Sequence, residues 1–345
     1  MKKIEQKDLF ELKNVGQPVM AGDAFFFTET KMNEKKNTYE TAIYKYSADG
    51  NVAYGDEGTV NSSLKVSPDG KWISFISNAG EEKTPQLKIQ SVHGGKAIAL
   101  TEEKKGVSSY VWAKDSQSIV FQTTKPEEEE KKEEFPQPII VEKTTYRFDG
   151  GTFLPNEEVT QIKKVDVVTK EVTTLFESKE SIGLRDVLHN GTTLVVDRDL
   201  SNVRWTLDSA EACYVDVTTG DIHPILEAGT DESYRYVLDA KDGAVLQYSS
   251  GKHGFVTQAD LIVNFDSKPD EEGHILNLTA DLDVEWGDWL VADFQQAVTG
   301  VEPQWFDEES FLACASVKGK TVLYRLYLDG RVEKIFDELL HLTGA

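Results

Sequence analysis

One short pattern recurs along this chain and limits the folds that it can adopt. An apolar stretch runs into a tight polar turn, and a second apolar stretch follows. The clearest copy is residues 64–75 (LKVSPDGKWISF), in which Pro68, Asp69 and Gly70 carry the backbone preferences of a tight turn. The residues after the turn are β-formers that favour burial on both faces. The pattern therefore predicts a β-hairpin.

The copies of this hairpin are regularly spaced. Asp23, Asp69 and Asp115 occupy the turns of the first three copies and stand 46 residues apart. Three weaker copies follow, at residues 187–196, 237–246 and 305–313. A second apolar hairpin with a polar turn follows each of the six. Two hairpins per unit, at a period in the forties, are typical of a β-propeller blade.

The repeat predicts an all-β fold, a β-propeller of about six four-stranded blades. Four short strands cannot bury both faces alone, so neighbouring blades must stack. The predicted parts are an N-terminal leader, residues 1–17, with a helical segment at 4–12, and a propeller, residues 18–345. Because the last unit stops abruptly, the prediction includes a ring that is open or incomplete.

Charge restricts the partners. With 37 basic and 60 acidic residues, the formal net charge is −23. This balance argues against nucleic acid, whose phosphates need a basic footprint, and against anionic membrane surfaces. Two interpretations stay open: a solvated, self-repelling surface, or an acidic cavity that attracts cationic substrates.

The lack of a secretory signal and the setting of the two cysteines predict a cytoplasmic protein. No apolar segment of a secretory signal follows Met1, and no run is long enough to span a bilayer. Cys213 and Cys314 lack metal-ligand spacing and lie in apolar β-like settings, which predicts buried free thiols. The sequence does not exclude a disulfide between them.

The third unit is expanded by an insertion at about residues 125–156. It contains a charge run, residues 126–136 (PEEEEKKEEFP), interpreted either as a solvated loop or as a lid at an entrance. Tyr146, Arg147 and Asp149 follow. They form either a hairpin with an Asp-Gly turn or a candidate substrate-binding site, in which Arg147 meets a carboxylate or a carbonyl.

Sequence motifs for catalysis and cofactors are missing. The chain has no G-x-S-x-G nucleophile elbow, H-E-x-x-H, P-loop, G-x-G-x-x-G or EF-hand loop. We therefore predict no catalytic residue, no metal site and no cofactor in this chain. A triad built from distant positions is not excluded by sequence.

Several stretches together resemble the propeller of the acylaminoacyl-peptidase branch of the prolyl oligopeptidase superfamily. They are residues 8–15 (DLFELKNV), the expanded third unit with residues 146–150 (YRFDG), and residues 281–284 (DLDV) ahead of a unit that opens with residues 303–305 (PQW). The resemblance covers essentially the whole chain. The blade pattern by itself also resembles propellers of the TolB type.

The resemblance implies a non-catalytic portion of a serine peptidase. Such enzymes carry an N-terminal propeller, usually of seven blades, that restricts entry to short or unfolded peptides. It caps a C-terminal α/β-hydrolase domain holding the Ser-Asp-His triad. This chain departs in having six units and no hydrolase, so it is expected to be a truncated gene product or an excised portion. The implied partners are the hydrolase domain and short peptides, and a homo-oligomer is left open.

Two other functions compete with this interpretation. A free-standing protein-interaction propeller of the WD-repeat or TolB-like kind needs no further domain, because a fold does not fix a function. A propeller enzyme such as a lactonase or glycosidase needs clustered acids or metal ligands in its channel. The sequence shows no such cluster.

Overall fold

A computed structural model provides the structure of the 345-residue chain. It describes residues 3–80, 83–126, 138, 140–142, 146–147, 158–204, 206, 209–265, 274–290, 301–338 and 341–342. Nearly all regular structure is β-strand, in six sheets whose strand pairs are antiparallel. The prediction of six blades is confirmed.

Each of the first three blades is a four-stranded meander whose strands follow one another in sequence. Blade 1 contains β1 (Lys13–Ala21), β2 (Ala24–Asn33), β3 (Thr38–Lys45) and β4 (Val52–Tyr54). Blade 2 contains β5 (Asn61–Val66), β6 (Trp72–Ser77), β7 (Gln86–Ser91) and β8 (Ile98–Ala99). Blade 3 contains β9 (Ser109–Trp112), β10 (Ser118–Thr124), β11 (Thr160–Asp166) and β12 (Val172–Ser178).

The next two blades repeat this arrangement. Blade 4 contains β13 (Ile182–Leu188), β14 (Thr193–Asp199), β15 (Ala210–Asp216) and β16 (Ile222–Pro224). Blade 5 contains β17 (Ser233–Ala240), β18 (Gly243–Ser249), β20 (Asp260–Phe265) and β21 (His274–Asn277), with β19 (Lys252–Phe255) in the connection after β18. The short helices among the described residues are α1 (Ser201–Arg204) and two 3₁₀ helices, Gln6–Glu11 and His189–Gly191.

Blade 6 has a divided first strand. Its strands are β22 (Glu285–Trp286), β23 (Gln304–Asp307), β24 (Ser310–Val317), β25 (Lys320–Tyr327) and β26 (Val332–Phe336). Both β22 and β23 pair with β24, at opposite ends of that strand. Two stretches with 17 residues between them in sequence therefore share one position in the sheet.

In blades 3 and 4, the second strand is apolar on both faces because a neighbouring blade covers each face. In β10, Ile119 and Phe121 join a buried cluster with blade 2, whereas Val120 between them joins a cluster with blade 4. In β14, Val196 faces blade 3 and Val195 faces blade 5. The alternation of strand side chains thus supplies both interfaces.

Five buried clusters connect the blades in sequence, from blade 1–2 to blade 5–6. Among the described residues, no such cluster joins blade 6 to blade 1, and no sheet combines strands from both ends of the chain. The topology of the described strands therefore fits the expected open ring, because none of their sheets closes the circle by combining both chain ends.

The predicted turn of blade 2 forms as the sequence indicates. Gly70 has φ of +70°, a region that favours glycine. The Ser67 hydroxyl donates to Asp69 Oδ1 over 2.7 Å, and Lys71 Nζ lies 2.9 Å from Asp69 Oδ2. The hydrogen bond from Ser67, followed by that from Lys71, lowers the pKa of Asp69 to about 2.

We expect Asp69→Asn to lower stability in a pH-dependent way. The folded-state pKa of Asp69 lies below its ordinary value, so the carboxylate stabilises the fold above that value and loses this effect as pH falls towards about 2. The gap in thermal midpoint between parent and variant should be largest at about pH 7 and shrink on acidification. A gap independent of pH would contradict the assignment.

Several other sequence predictions have an outcome in the fold. Within the segment at 4–12, Gln6–Glu11 form a 3₁₀ helix, and Leu9 and Phe10 are exposed rather than packed in a core. Cys213 and Cys314 are buried free thiols, as predicted. The charge run and most of the insertion lie outside the described residues. No helix in the described part of the chain is long and apolar enough to cross a membrane.

Candidate functional site: the central channel

A channel runs between the first strands of the six blades. Its cavity volume is about 730 Å³, and every blade contributes to its lining. The lining includes Gln17–Val19 of β1, Ser63–Val66 of β5, Ser109–Val111 of β9, Leu184 and Arg185 of β13, Arg235–Val237 of β17, and Val301–Gln304 at β23. The first strand of each blade is therefore the inner one, and the channel is the natural place for a ligand.

Bulges shape the channel wall. The pairing of the first strand with the second shifts register in blades 1, 2, 4, 5 and 6. The shifts lie between Gly16 and Val19, Ser62 and Lys65, Leu184 and Asp186, Tyr236 and Leu238, and Trp305 and Asp307. A bulge leaves a residue unpaired and re-aims side chains. Bulged residues such as Gln17, Ser63 and Arg185 consequently line the channel.

Two bulged residues hold an unfavourable backbone conformation. Gln17 and Ser63 have φ of +48° and +55°, a region that non-glycine residues rarely adopt. Neighbouring blades brace both positions. Gln17 Oε1 accepts a hydrogen bond from Leu64 N over 2.9 Å, and the Tyr110 hydroxyl donates to the Ser63 carbonyl. The strain is therefore held in place by contacts between blades.

The same bracing recurs at the other bulges. Gln122 of blade 3 accepts from Leu184 N over 2.7 Å and donates to the Ile182 carbonyl over 3.2 Å. Asp197 of blade 4 accepts from Tyr236 N over 2.9 Å. In both cases, a side chain from the preceding blade accepts a hydrogen bond from the backbone N–H of the residue just before the bulge. The same contacts between blades therefore also fix the shape of the channel wall.

Two tyrosines of the inner strands are buried hydrogen-bonding groups. Tyr110 Oη lies 3.0 Å from Ser74 Oγ, and Tyr236 Oη donates to Asp186 Oδ2 over 3.0 Å. Burial raises the pKa of both phenols, and it also raises the pKa of the Asp186 carboxyl. These tyrosines stay neutral at physiological pH and do not provide a base.

Side chains at the turns between first and second strands connect several blades. Lys114 Nζ of blade 3 lies 3.4 Å from Asp239 Oδ2 of blade 5. The indole of Trp305 in blade 6 donates to the Asp239 carbonyl over 3.1 Å. In blades 2 and 3, Asp69 N donates to Ser116 Oγ over 2.9 Å. One face of the ring is thereby tied across several blades.

The charge of the channel is opposite in sign to that of the whole chain. Its described lining contains Lys65, Arg185 and Arg235, against one carboxylate, Glu302. For the described lining of this channel, the hypothesis of an acidic cavity for cationic substrates is therefore wrong. The acidic excess lies elsewhere on the molecule.

The described residues offer little for nucleophilic or metal chemistry. Burial raises the pKa of the Cys213 thiol to about 12 and also raises that of Cys314, so neither is a ready thiolate. His341 Nε2 lies 2.5 Å from Asp288 Oδ2, a pair between the chain's C-terminal segment and blade 6. No group of three or more His, Cys, Asp and Glu side chains in the described ranges is arranged to hold a metal ion.

The structure does not bring Tyr146 or Arg147 into the channel. Tyr146 and Arg147 are both exposed, and neither is among the described lining residues. Asp149 lies outside the described residues. The candidate site at Tyr146, Arg147 and Asp149 therefore stays a prediction, and the channel residues Lys65, Arg185 and Arg235 are those that sequence reasoning missed.

Fold and channel define a class, six-bladed propellers with an axial channel, in which the described strands show no blade shared between the chain ends. Among curated proteins, the chain is 26% identical over 347 aligned positions to the uncharacterized peptidase YuxL of Bacillus subtilis. The match covers 97% of this chain and 52% of YuxL. No protein-family model matches the chain.

Solved structures share the fold. The Pyrococcus horikoshii acylaminoacyl peptidase superposes with a TM-score of 0.71 at 17% identity, covering 99% of this chain and 49% of that enzyme. The β-propeller domain of the Trilobed protease from Pyrococcus furiosus, described as having an open velcro topology, superposes with a TM-score of 0.63 at 16% identity, covering 96% of this chain and 88% of that domain.

These comparisons confirm the resemblance seen in the sequence. The chain is similar in sequence to the peptidase YuxL, and its fold is similar to part of an acylaminoacyl peptidase and to the propeller domain of a protease. It spans about half the length of the curated peptidase and of the acylaminoacyl peptidase.

Proposed function

We propose that this chain is the non-catalytic propeller of a serine peptidase. In this proposal, it admits short or unfolded peptides through its axial channel and docks through one face to an α/β-hydrolase domain that performs the chemistry. The observation that carries the proposal is a channel lined by all six blades, in a chain that corresponds to the propeller portion of peptidases.

The size of the channel supports its proposed role as a filter that admits peptides and excludes folded proteins. Its volume of about 730 Å³ falls in the range of roughly 300–1,000 Å³ typical of sites that bind small ligands. A folded domain of about 100 residues has a radius of gyration near 13 Å, so it is far too large to enter. An extended peptide can enter end first.

The lengths of the relatives support a second domain. The chain matches 52% of one peptidase and 49% of another, so each has about as much chain again. We propose that a hydrolase domain of this kind is the docking partner. The alternative of a free-standing WD-repeat or TolB-like propeller is not favoured, because the relatives are peptidases.

Blocking the channel tests the filter. We expect Ser109→Trp, on the inner strand of blade 3, to abolish binding of a short fluorescent peptide, because the indole fills space in the channel. Thr174→Trp, on the exposed outer strand of the same blade, is the matched control and should bind like the parent. Fluorescence anisotropy gives the affinities, and circular dichroism checks that both variants fold.

Other outcomes would contradict the proposal. Equal peptide binding by the parent and Ser109→Trp would exclude the channel as the route. Hydrolysis of chromogenic peptides by the purified chain would exclude a non-catalytic role. The docking part predicts a reading frame that continues beyond Ala345 into a domain with G-x-S-x-G, and a stop codon there in the native gene would contradict it.

Two finer points belong to this proposal. We propose a cytoplasmic location, because both cysteines are free thiols, as expected in a reducing compartment. We also propose that Tyr146, Arg147 and Asp149 belong to a substrate-binding site in which Arg147 pairs with a carboxylate, either that of Asp149 or one on the substrate or the hydrolase. A guanidinium suits that role because its planar fork of donors matches a carboxylate.

A further inference from the structure

The central channel carries cationic side chains inside a strongly acidic protein. The chain has 60 acidic and 37 basic residues, yet the described lining holds three cations and one carboxylate. We propose that the channel selects anionic peptides by binding their carboxylates at Lys65 and Arg185. This inference rests on the proposed function, because it requires that peptides enter the channel.

Lys65 keeps its charge available. It follows the bulge of β5, and its Nζ donates to the Tyr110 carbonyl over 3.1 Å and lies 5.3 Å from the centroid of the Tyr110 ring. Both partners are neutral, so they orient the ammonium group without cancelling its charge. An ammonium has three donors, and an anionic ligand can accept one of the others.

The guanidinium group of Arg185 is positioned to bind a carboxylate. It is the bulged residue between Leu184 and Asp186, and its side chain is 45% exposed. Asp197 accepts from its Nε over 2.6 Å, which fixes the position of the guanidinium. In the described part of the chain, the two terminal nitrogens make no hydrogen bond. They can therefore form two parallel hydrogen bonds with one carboxylate.

The walls of the channel strengthen the electrostatic attraction between its cations and an anionic peptide. Low-dielectric walls concentrate the field of charges in a cleft, so two cations act more strongly there than on an open surface. Asp197 offsets part of the charge of Arg185, and Glu302 opposes an anionic ligand from the blade 6 side. The selection should therefore be a preference, not an absolute requirement.

Peptides of equal length that differ at one side chain test the selection. We expect a peptide with an internal Glu to bind the 345-residue chain roughly tenfold more tightly than its Gln counterpart, as one charge-assisted contact allows. A Lys counterpart should bind most weakly. Raising the salt concentration should reduce the difference. Comparing a free C-terminal acid with its amide shows whether the terminal carboxylate is also recognised.

Variants assign the preference to the named side chains. Arg185→Gln and Lys65→Met should each reduce the ratio of Glu to Gln affinity, whereas Arg185→Lys should retain part of it because the charge stays. Arg331→Gln is the matched control, since Arg331 lies at an exposed outer turn paired with Asp329. The ratio of Glu to Gln peptide affinity in Arg331→Gln should equal that of the parent. Circular dichroism checks folding, and Arg185→Lys covers the case in which Arg185→Gln does not fold.

The outcomes separate this inference from the proposed function. If Glu and Gln peptides bind equally, or the ratio survives in both Arg185→Gln and Lys65→Met, the selection is overturned while entry of peptides stands. If no peptide binds, both are overturned. If the ratio falls equally in Arg331→Gln, the preference comes from the overall charge and not from the channel.

Discussion

Replacing Phe26 with Ala is expected to lower the free energy of unfolding by about 3 to 5 kcal/mol, as for other large-to-small changes in a core. Phe26 is fully buried and packs edge-to-face on Tyr54, with ring centroids 5.0 Å apart. It belongs to the cluster that joins blade 1 to Ile73 and Phe75 of blade 2. The cavity would therefore open at an interface between two blades.

Phe25→Ala is the matched control on the same strand. Phe25 lies next in sequence but on the opposite face of the sheet, is only partly buried, and stacks with Phe27 at 6.0 Å. Its loss should cost about 1 kcal/mol, because less apolar area is removed from water by folding. Urea unfolding of both variants gives the comparison, and equal destabilisation would contradict this assignment of faces.

The blade architecture was predictable because it depends on local chemistry. The turn at Pro68, Asp69 and Gly70 needs specific backbone preferences, and the structure has the predicted turn, with a hydrogen bond between Ser67 and Asp69. The strands that need burial on both faces read as continuous apolar runs. A regular spacing of such units then leaves few folds other than a propeller.

The channel was not predictable in the same way. A bulge places Arg185 in the channel, and the contact that braces this bulge comes from another blade, where Gln122 accepts from the Leu184 N–H. Such contacts depend on how sheets pack, which local sequence does not encode. The sequence signal that could have identified these cations was their position in the repeat, because a cation in the first strand of a unit faces the axis of the propeller. The sequence analysis instead selected Arg147, because it lies in the motif at residues 146–150 (YRFDG).

Blade 6 shows a second limit. The sequence placed the opening of the last unit at residues 303–305 and treated residues 281–284 as a preceding segment. In the structure, β22 and β23 both pair with β24, so the inner position is shared by two stretches. Strand pairing across an interruption is a long-range property, and a strand of two residues such as β22 leaves little pattern in the sequence.

Asp197→Ala is expected to lower the free energy of unfolding by about 2 to 3 kcal/mol. The carboxylate is only 6% exposed and serves two partners, the backbone N–H of Tyr236 and the Nε of Arg185. Without it, a buried N–H at the bulge of β17 has no acceptor. Arg185 is 45% exposed, so water can solvate its charge, and the cost comes mainly from the Tyr236 N–H.

Two further variants identify the cause of this loss. Asp197→Asn keeps an acceptor for the Tyr236 N–H and removes only the charge, so it should cost about half as much as Asp197→Ala or less. Asp239→Ala removes a carboxylate whose partner, Lys114, is 72% exposed, and such surface pairs contribute about 0 to 1 kcal/mol. Thermal and urea unfolding measure all three. If Asp197→Asn is as damaging as Asp197→Ala, the ion pair with Arg185 is the main contribution, and the bracing of the bulge by Asp197 is secondary.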